Sequence, residues 1–117
     1  MKKVKTSKDR YVLRIRYWKE GAEAPIMDST MTTGSLRNAR SEFRSQLTNV
    51  LGIRIDRNDM KMIVEAGYVV VAGPVMHDAD RFAMLLTDGE HPVENPVMYA
   101  FEWQNAIWTL RRFAPPS

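Results

Sequence analysis

The stretch YVLRIRYWKEG, residues 11–21, constrains the fold more than any other part of the chain, and a strand is expected over 10–19. Tyr11, Leu13, Ile15 and Tyr17 share one side; Val12, Arg14, Arg16 and Trp18 share the other. A period of two is that of a β-strand, whose successive side chains point to opposite faces. The aromatic and β-branched content agrees with that assignment. The chain therefore contains a sheet with one greasy face, and it carries two arginines and a tryptophan on the other. Gly21 and Pro25 punctuate the next segment, and 26–33 (IMDSTMTT) is expected to return as a weaker strand, giving an N-terminal β-hairpin.

The period then changes. Leu36, Ala39, Phe43, Leu47 and Val50 fall at three- and four-residue steps, which predicts an amphipathic helix over 36–51. Ser35 suits its N-cap and Gly52 its left-handed end. Arg37, Arg40 and Arg44 form a basic ridge along one flank of the apolar stripe. Residues 53–76 allow two readings. One is a short second helix at 57–66, capped by Asp56 and closed by Gly67, then a buried central strand in YVVVA; the other is a strand meander. Asp56 and Asp59 at a helix N-terminus favour the first. Residues 78–88 suggest another short helix, with Asp78 as cap and Phe82, Leu85 and Leu86 inward. The tail, 96–113, reads as an aromatic helix opened by Asn95-Pro96 or, from its alternation at 97–103, as a hairpin, with the helix slightly preferred. The expected fold class is α+β: a single domain over 10–114, preceded by a basic, flexible arm at 1–9.

At 117 residues there is no room for two independent cores. Cysteine is absent, which excludes disulfides and thiolate metal sites and suits a reducing, cytoplasmic setting. The longest nearly uncharged apolar run, YVVVAGPVM, is about half the roughly 20 residues that a spanning helix needs, so no membrane partner is expected. The net charge of +3 conceals a polarity. Residues 1–44 hold eleven Lys/Arg against five Asp/Glu, and residues 45–117 hold six against nine. Such asymmetry bears on partners rather than on fold.

No catalytic signature is present: the chain lacks a nucleophile elbow, a phosphate-cradling glycine loop and a zinc-protease histidine pair. His77, Asp78 and Asp80 (HDAD) are loosely spaced for a divalent ion, but Asp78 serves equally as a cap, so neither metal nor cofactor is expected. Nucleic-acid binding has the better case, because it needs clustered cations for phosphates and aromatic faces for bases. The candidate contacts are Lys3, Lys5, Arg14, Arg16, Arg37, Arg40, Arg44 and Arg57, with Trp18 as a stacking surface. The expectation requires the cations of the first half to gather on one side of the folded chain.

The run QLTNVLGIRIDRNDMKMIVEAGYVVVAG (46–73) resembles the alpha-L RNA-binding fold, the type named for the fourth small-subunit ribosomal protein. The resemblance rests on Leu47 and Gly52 at the end of a first helix, Arg57 opening a second, Ile63-Val64 before Gly67, and Val69, Val71 and Gly73 in the strand that follows. TDGEHPV (87–93) is similar to the family's closing turn. The chain departs from that pattern at Met60, Ala72 and Gly89-Glu90, and it lacks the family's Arg-Leu-Asp opening. The resemblance covers at most residues 40–93 and implies RNA rather than DNA binding, through Arg40, Arg44, Arg54 and Arg57. The starting hairpin and first helix also faintly resemble the arm-type DNA-binding domains of phage integrases. The rival class is a small regulatory or inhibitory protein, of mobile-element or phage type, that binds a protein partner. Its aromatic, Met and Arg content is what interface cores favour.

Overall fold

The computed structural model describes residues 10–89, 91–92 and 98–113. The expected arm at 1–9, with Lys3 and Lys5, lies outside the described residues, as does the Asn95-Pro96 cap. The elements run β1 (Tyr11–Trp18), β2 (Met27–Thr33), α1 (Leu36–Leu51), α2 (Arg57–Ala66), β3 (Tyr68–Val75), β4 (Ala79–Asp88), β5 (His91–Pro92), β6 (Met98–Gln104) and β7 (Ile107–Phe113). Six strands form one mixed sheet in the order β2-β1-β4-β3-β6-β7, and the two-residue β5 pairs with the end of β4. Among the described residues, β3 and β6 pair in parallel and the other pairs are antiparallel.

The fold class is α+β, as expected. The hairpin forms, with Tyr11 opposite Thr33 and Tyr17 opposite Met27. α1 starts at the Ser35 cap, whose hydroxyl accepts from the Asn38 amide, and ends at Gly52 in the left-handed region. α2 takes the helical reading of 57–66: the Asp56 carboxylate accepts from the amides of Asn58 and Asp59, and Gly67 closes it.

One expectation, the helix at 78–88, fails, and in the tail the slightly preferred helix gives way to the alternative hairpin. Residues 79–88 form the strand β4, and 98–113 form the β6–β7 hairpin. In β4 the alternating residues Phe82, Met84 and Leu86 face the core, and Ala83 between them is also buried. A central strand that is apolar on both faces loses its period of two, which let Phe82, Leu85 and Leu86 mimic helical spacing. Asp78 caps nothing; it sits with His77 in a turn where both have positive φ. In β6, Tyr99 and Phe101 face the core, and Asn105-Ala106, both at positive φ, make the tight turn into β7.

One face of the sheet is closed by the helices, and the other is left open by the described elements. Leu13, Tyr17, Val69, Val71, Phe82, Met84, Leu86 and Phe101 pack against Ala39, Phe43 and Leu47 of α1 and Met60, Ile63 and Val64 of α2. α1 lies across β1, β2 and β4; α2 lies over β3 and β6. Burying each large side chain contributes about 1.5–3 kcal/mol, so this single layer contact holds the two helices to the sheet. The far end is locked by the Trp108 indole, which donates to the Leu51 carbonyl at 3.0 Å and stacks edge-on with Trp103. Gly73 makes room for that pair. A Cβ there would lie 2.6 Å from the Trp103 Cβ and 2.9 Å from the Trp108 ring. Among the described residues, no helix is long and apolar enough to cross a membrane.

Candidate nucleic-acid interface

The register places the basic residues of the first half on two opposite faces. Arg14, Arg16 and Trp18 alternate with the buried Leu13, Ile15 and Tyr17, so they project from the open face of the sheet. Arg37, Arg40, Arg44 and Arg57 belong to the helices, which cover the other face. The expected single basic side does not form: the sheet's core layer separates the two groups.

Within the helical layer the cations do converge. A groove of about 820 Å³ runs between α1 and α2, with Arg40 and Arg44 on one wall, Arg57 and Lys61 on the other, and Arg54 in the connection. Ile55, Met60 and Val64 supply apolar surface, and Asp56 and Glu65 are its acids. The Asp56 carboxylate is engaged by two backbone amides. A second, smaller depression is lined by Leu36, Arg37, Arg40, Ser41 and Arg44. Arg40 is common to both, and its enclosed Nε finds no hydrogen-bond partner among the described residues. The four residues singled out by the RNA-binding resemblance, Arg40, Arg44, Arg54 and Arg57, all line the one groove. Lys61 was not legible as a contact, although it sits one helical turn beyond Arg57 at i+4, a spacing that puts both on one face.

The ion pairs lie elsewhere. Among the described residues, Arg10 pairs with Asp88 at 2.8 Å, Arg14 with Asp28 at 2.6 Å, Lys19 with Asp78 at 2.9 Å and Arg111 with Glu102 at 3.1 Å. Arg14 and Asp28 meet through two parallel N–H···O bonds. These bonds hold the Asp28 carboxyl below the ordinary carboxylate range and the Arg14 guanidinium above its own. Arg16 rests over the Trp18 ring at 5.1 Å, so Trp18 is already partnered by a cation. None of Arg37, Arg40, Arg44, Arg54, Arg57 and Lys61 takes part in an ion pair among the described residues.

His77 stacks edge-on against Tyr17 at 4.8 Å, and Asp78 is held by Lys19. Among the described residues, no group of three His, Asp or Glu side chains is placed to hold a metal ion. Comparison of the chain with protein-family models, curated proteins and solved structures finds no match.

Proposed function

We propose that this protein is a non-enzymatic nucleic-acid-binding module whose contact surface is the helical layer. The observation that carries the reading is the groove in which Arg40, Arg44, Arg54, Arg57 and Lys61 converge without carboxylate partners among the described residues. Unpaired cations at close range repel one another, and a polyanion relieves that repulsion while releasing its own counterions. RNA is favoured over DNA by the resemblance of 46–73 to the alpha-L fold. Arg14, Arg16 and Trp18 leave the contact set, because they face away from the groove. The side chains meet phosphates rather than base edges, so the module discriminates little between sequences.

The test is a fluorescence-anisotropy titration of labelled single-stranded RNA and duplex DNA at two salt concentrations. Five phosphate contacts to a single strand give a log–log salt slope of about −3.5, so a fourfold rise in salt lowers affinity about 100-fold. No binding at about 50 mM salt contradicts the reading. The apolar floor of the groove, Ile55, Met60 and Val64, favours a second reading: a regulatory or inhibitory protein that takes an acidic, partly apolar segment of a protein partner. In that case a pull-down retains a protein target and loses it when Arg40, Arg44 and Arg57 become Glu, while RNA fails to bind.

A further inference from the structure

The open face of the sheet is apolar at its centre. Two outward rows of the middle strands are apolar, Leu85, Tyr68 and Met98 in one and Ala83, Val70 and Ala100 in the next; the row beyond them carries Arg81, Ala72 and Glu102. Ala83 and Ala100, at the middle of the apolar strip, are only 6% and 8% exposed. At one edge Phe113 and Ile107 remain 42% and 64% exposed. Both helices lie on the opposite face, and no described element packs on this one. An apolar strip rimmed by polar residues on a sheet face is the pattern of an interaction surface.

One row of the register states what covers it. Asp28, Arg16, Ala83, Val70, Ala100 and Arg111 stand side by side across all six strands. Its middle is small and apolar, one end is an acid and the other a base. A two-fold axis parallel to the strands, passing between Ala83 and Val70, turns the row onto itself end for end. Ala83 of one copy then meets Val70 of the other, the stem of Arg16 lies over Ala100, and Asp28, bonded to Arg14 in its own chain, comes opposite Arg111, bonded to Glu102 in its own. In the next row the same operation sets Leu85 against Tyr68. We propose that the open face is a self-association surface on which two copies stack, forming a β-sandwich between two outer helical layers.

The dimensions suit such a dimer. Six strands about 4.8 Å apart and three outward rows about 6.7 Å apart give a flat footprint of about 29 by 20 Å. That is about 580 Å² per copy before side-chain relief is counted, below the roughly 800 Å² per partner of a standard interface and in the range of a weak dimer. Face-to-face sheets pack about 10 Å apart with strands nearly aligned, which the small Ala83 and Ala100 permit. The helical layers stay outermost, so the interface is independent of what the helices bind.

Sedimentation velocity of the full chain tests this. The expected species at micromolar concentration has twice the 13.5 kDa chain mass. Val70→Glu sets two carboxylates near the axis and is expected to give a folded monomer by circular dichroism. Asp28→Arg and Arg111→Asp alone each weaken the dimer about tenfold or more, and the double variant restores it to within about threefold, since only this register opposes the two positions. A wild-type monomer at about 100 µM overturns the proposal. So does a dimer that survives in folded Val70→Glu, or a double charge swap that fails to rescue.

Discussion

On the sheet, Arg14 is held by Asp28, Arg111 by Glu102, and Arg16 lies over Trp18. On the helices, Arg40, Arg44, Arg54, Arg57 and Lys61 surround a groove and meet no carboxylate among the described residues. The two faces are a sheet's thickness apart and draw on the same residue type. Cross-strand neighbours explain the difference. Arg14 reaches Asp28 and Arg111 reaches Glu102 diagonally, two residues along the neighbouring strand, a span that a long side chain bridges, so one well-placed acid neutralises each. Along α1 the ridge repeats at three- and four-residue steps, and its flank neighbour across the groove, α2, contributes further bases at Arg57 and Lys61. Net charge alone conceals this. What matters for a partner is which cations are left unmatched after folding.

Four substitutions or titrations sharpen or break the contrast. The largest effect belongs to Phe43, fully buried where α1 meets the sheet. Phe43→Ala is expected to cost about 3–5 kcal/mol of stability. All three tryptophans lie on sheet strands, so tryptophan fluorescence follows the sheet and the helical circular dichroism signal follows α1 and α2. The two urea transitions should coincide and move together. Transitions that separate would mean that the layers fold independently, and the comparison would then concern two units rather than two faces of one.

Gly73→Ala comes next. The added methyl has no room beside Trp103 and Trp108, and φ of +152° disfavours any side chain. An overpacked site of this kind costs about 2–3 kcal/mol. Because Trp108 anchors the Leu51 carbonyl at the end of α1, the loss should also appear as faster amide exchange in the last turn of α1. Exchange confined to β7 would show that this contact does not couple sheet to helix. Ala106→Gly acts on the sheet alone. Ala106 holds φ of +62° in the β6–β7 turn, and relieving it should stabilise the chain by about 1 kcal/mol in urea denaturation, without altering nucleic-acid affinity.

The smallest effect is that of pH on the Arg14–Asp28 pair. Asp28 has its folded pKa lowered, chiefly by the Arg14 hydrogen bonds. Its contribution is therefore present above the unfolded carboxylate value and is lost as pH falls through the lower folded value. Melting temperatures of the wild type and Asp28→Asn should differ at neutral pH and converge in acid. A difference that persists below the folded value would assign Asp28 another role.

Part of this architecture was legible in the chain. Ser35, Gly52, Asp56 and Gly67 mark both helices, because capping residues act locally and their chemistry does not depend on the rest of the fold. The hairpin from 11 to 33 was legible for the same reason: one buried face and one solvated face leave a clean alternation. β4 was not legible, since a strand flanked by β1 and β3 is apolar at Ala83 and Leu85 as well as at Phe82, Met84 and Leu86. The tail misled because Tyr99, Trp103 and Ile107 share helical spacing, while the turn that decides the matter, Asn105-Ala106, lacks the glycine that usually announces it. The candidate contacts divided along similar lines. Arg37, Arg40 and Arg44 could be grouped from one helix, whereas the face on which Arg14 and Arg16 lie relative to that helix is a tertiary fact.

Side-by-side charge reversal is the most direct test. Arg40, Arg44 and Arg57 are changed to Glu in one variant, and Arg14 and Arg16 in another, and each is titrated with the same labelled single-stranded RNA at about 50 mM salt. The helical variant should lose about 100-fold or more in affinity, and the sheet variant should stay within about threefold of wild type, with both folded by circular dichroism. Equal losses, or a larger loss in the sheet variant, would contradict the assignment of the binding surface to the helical layer.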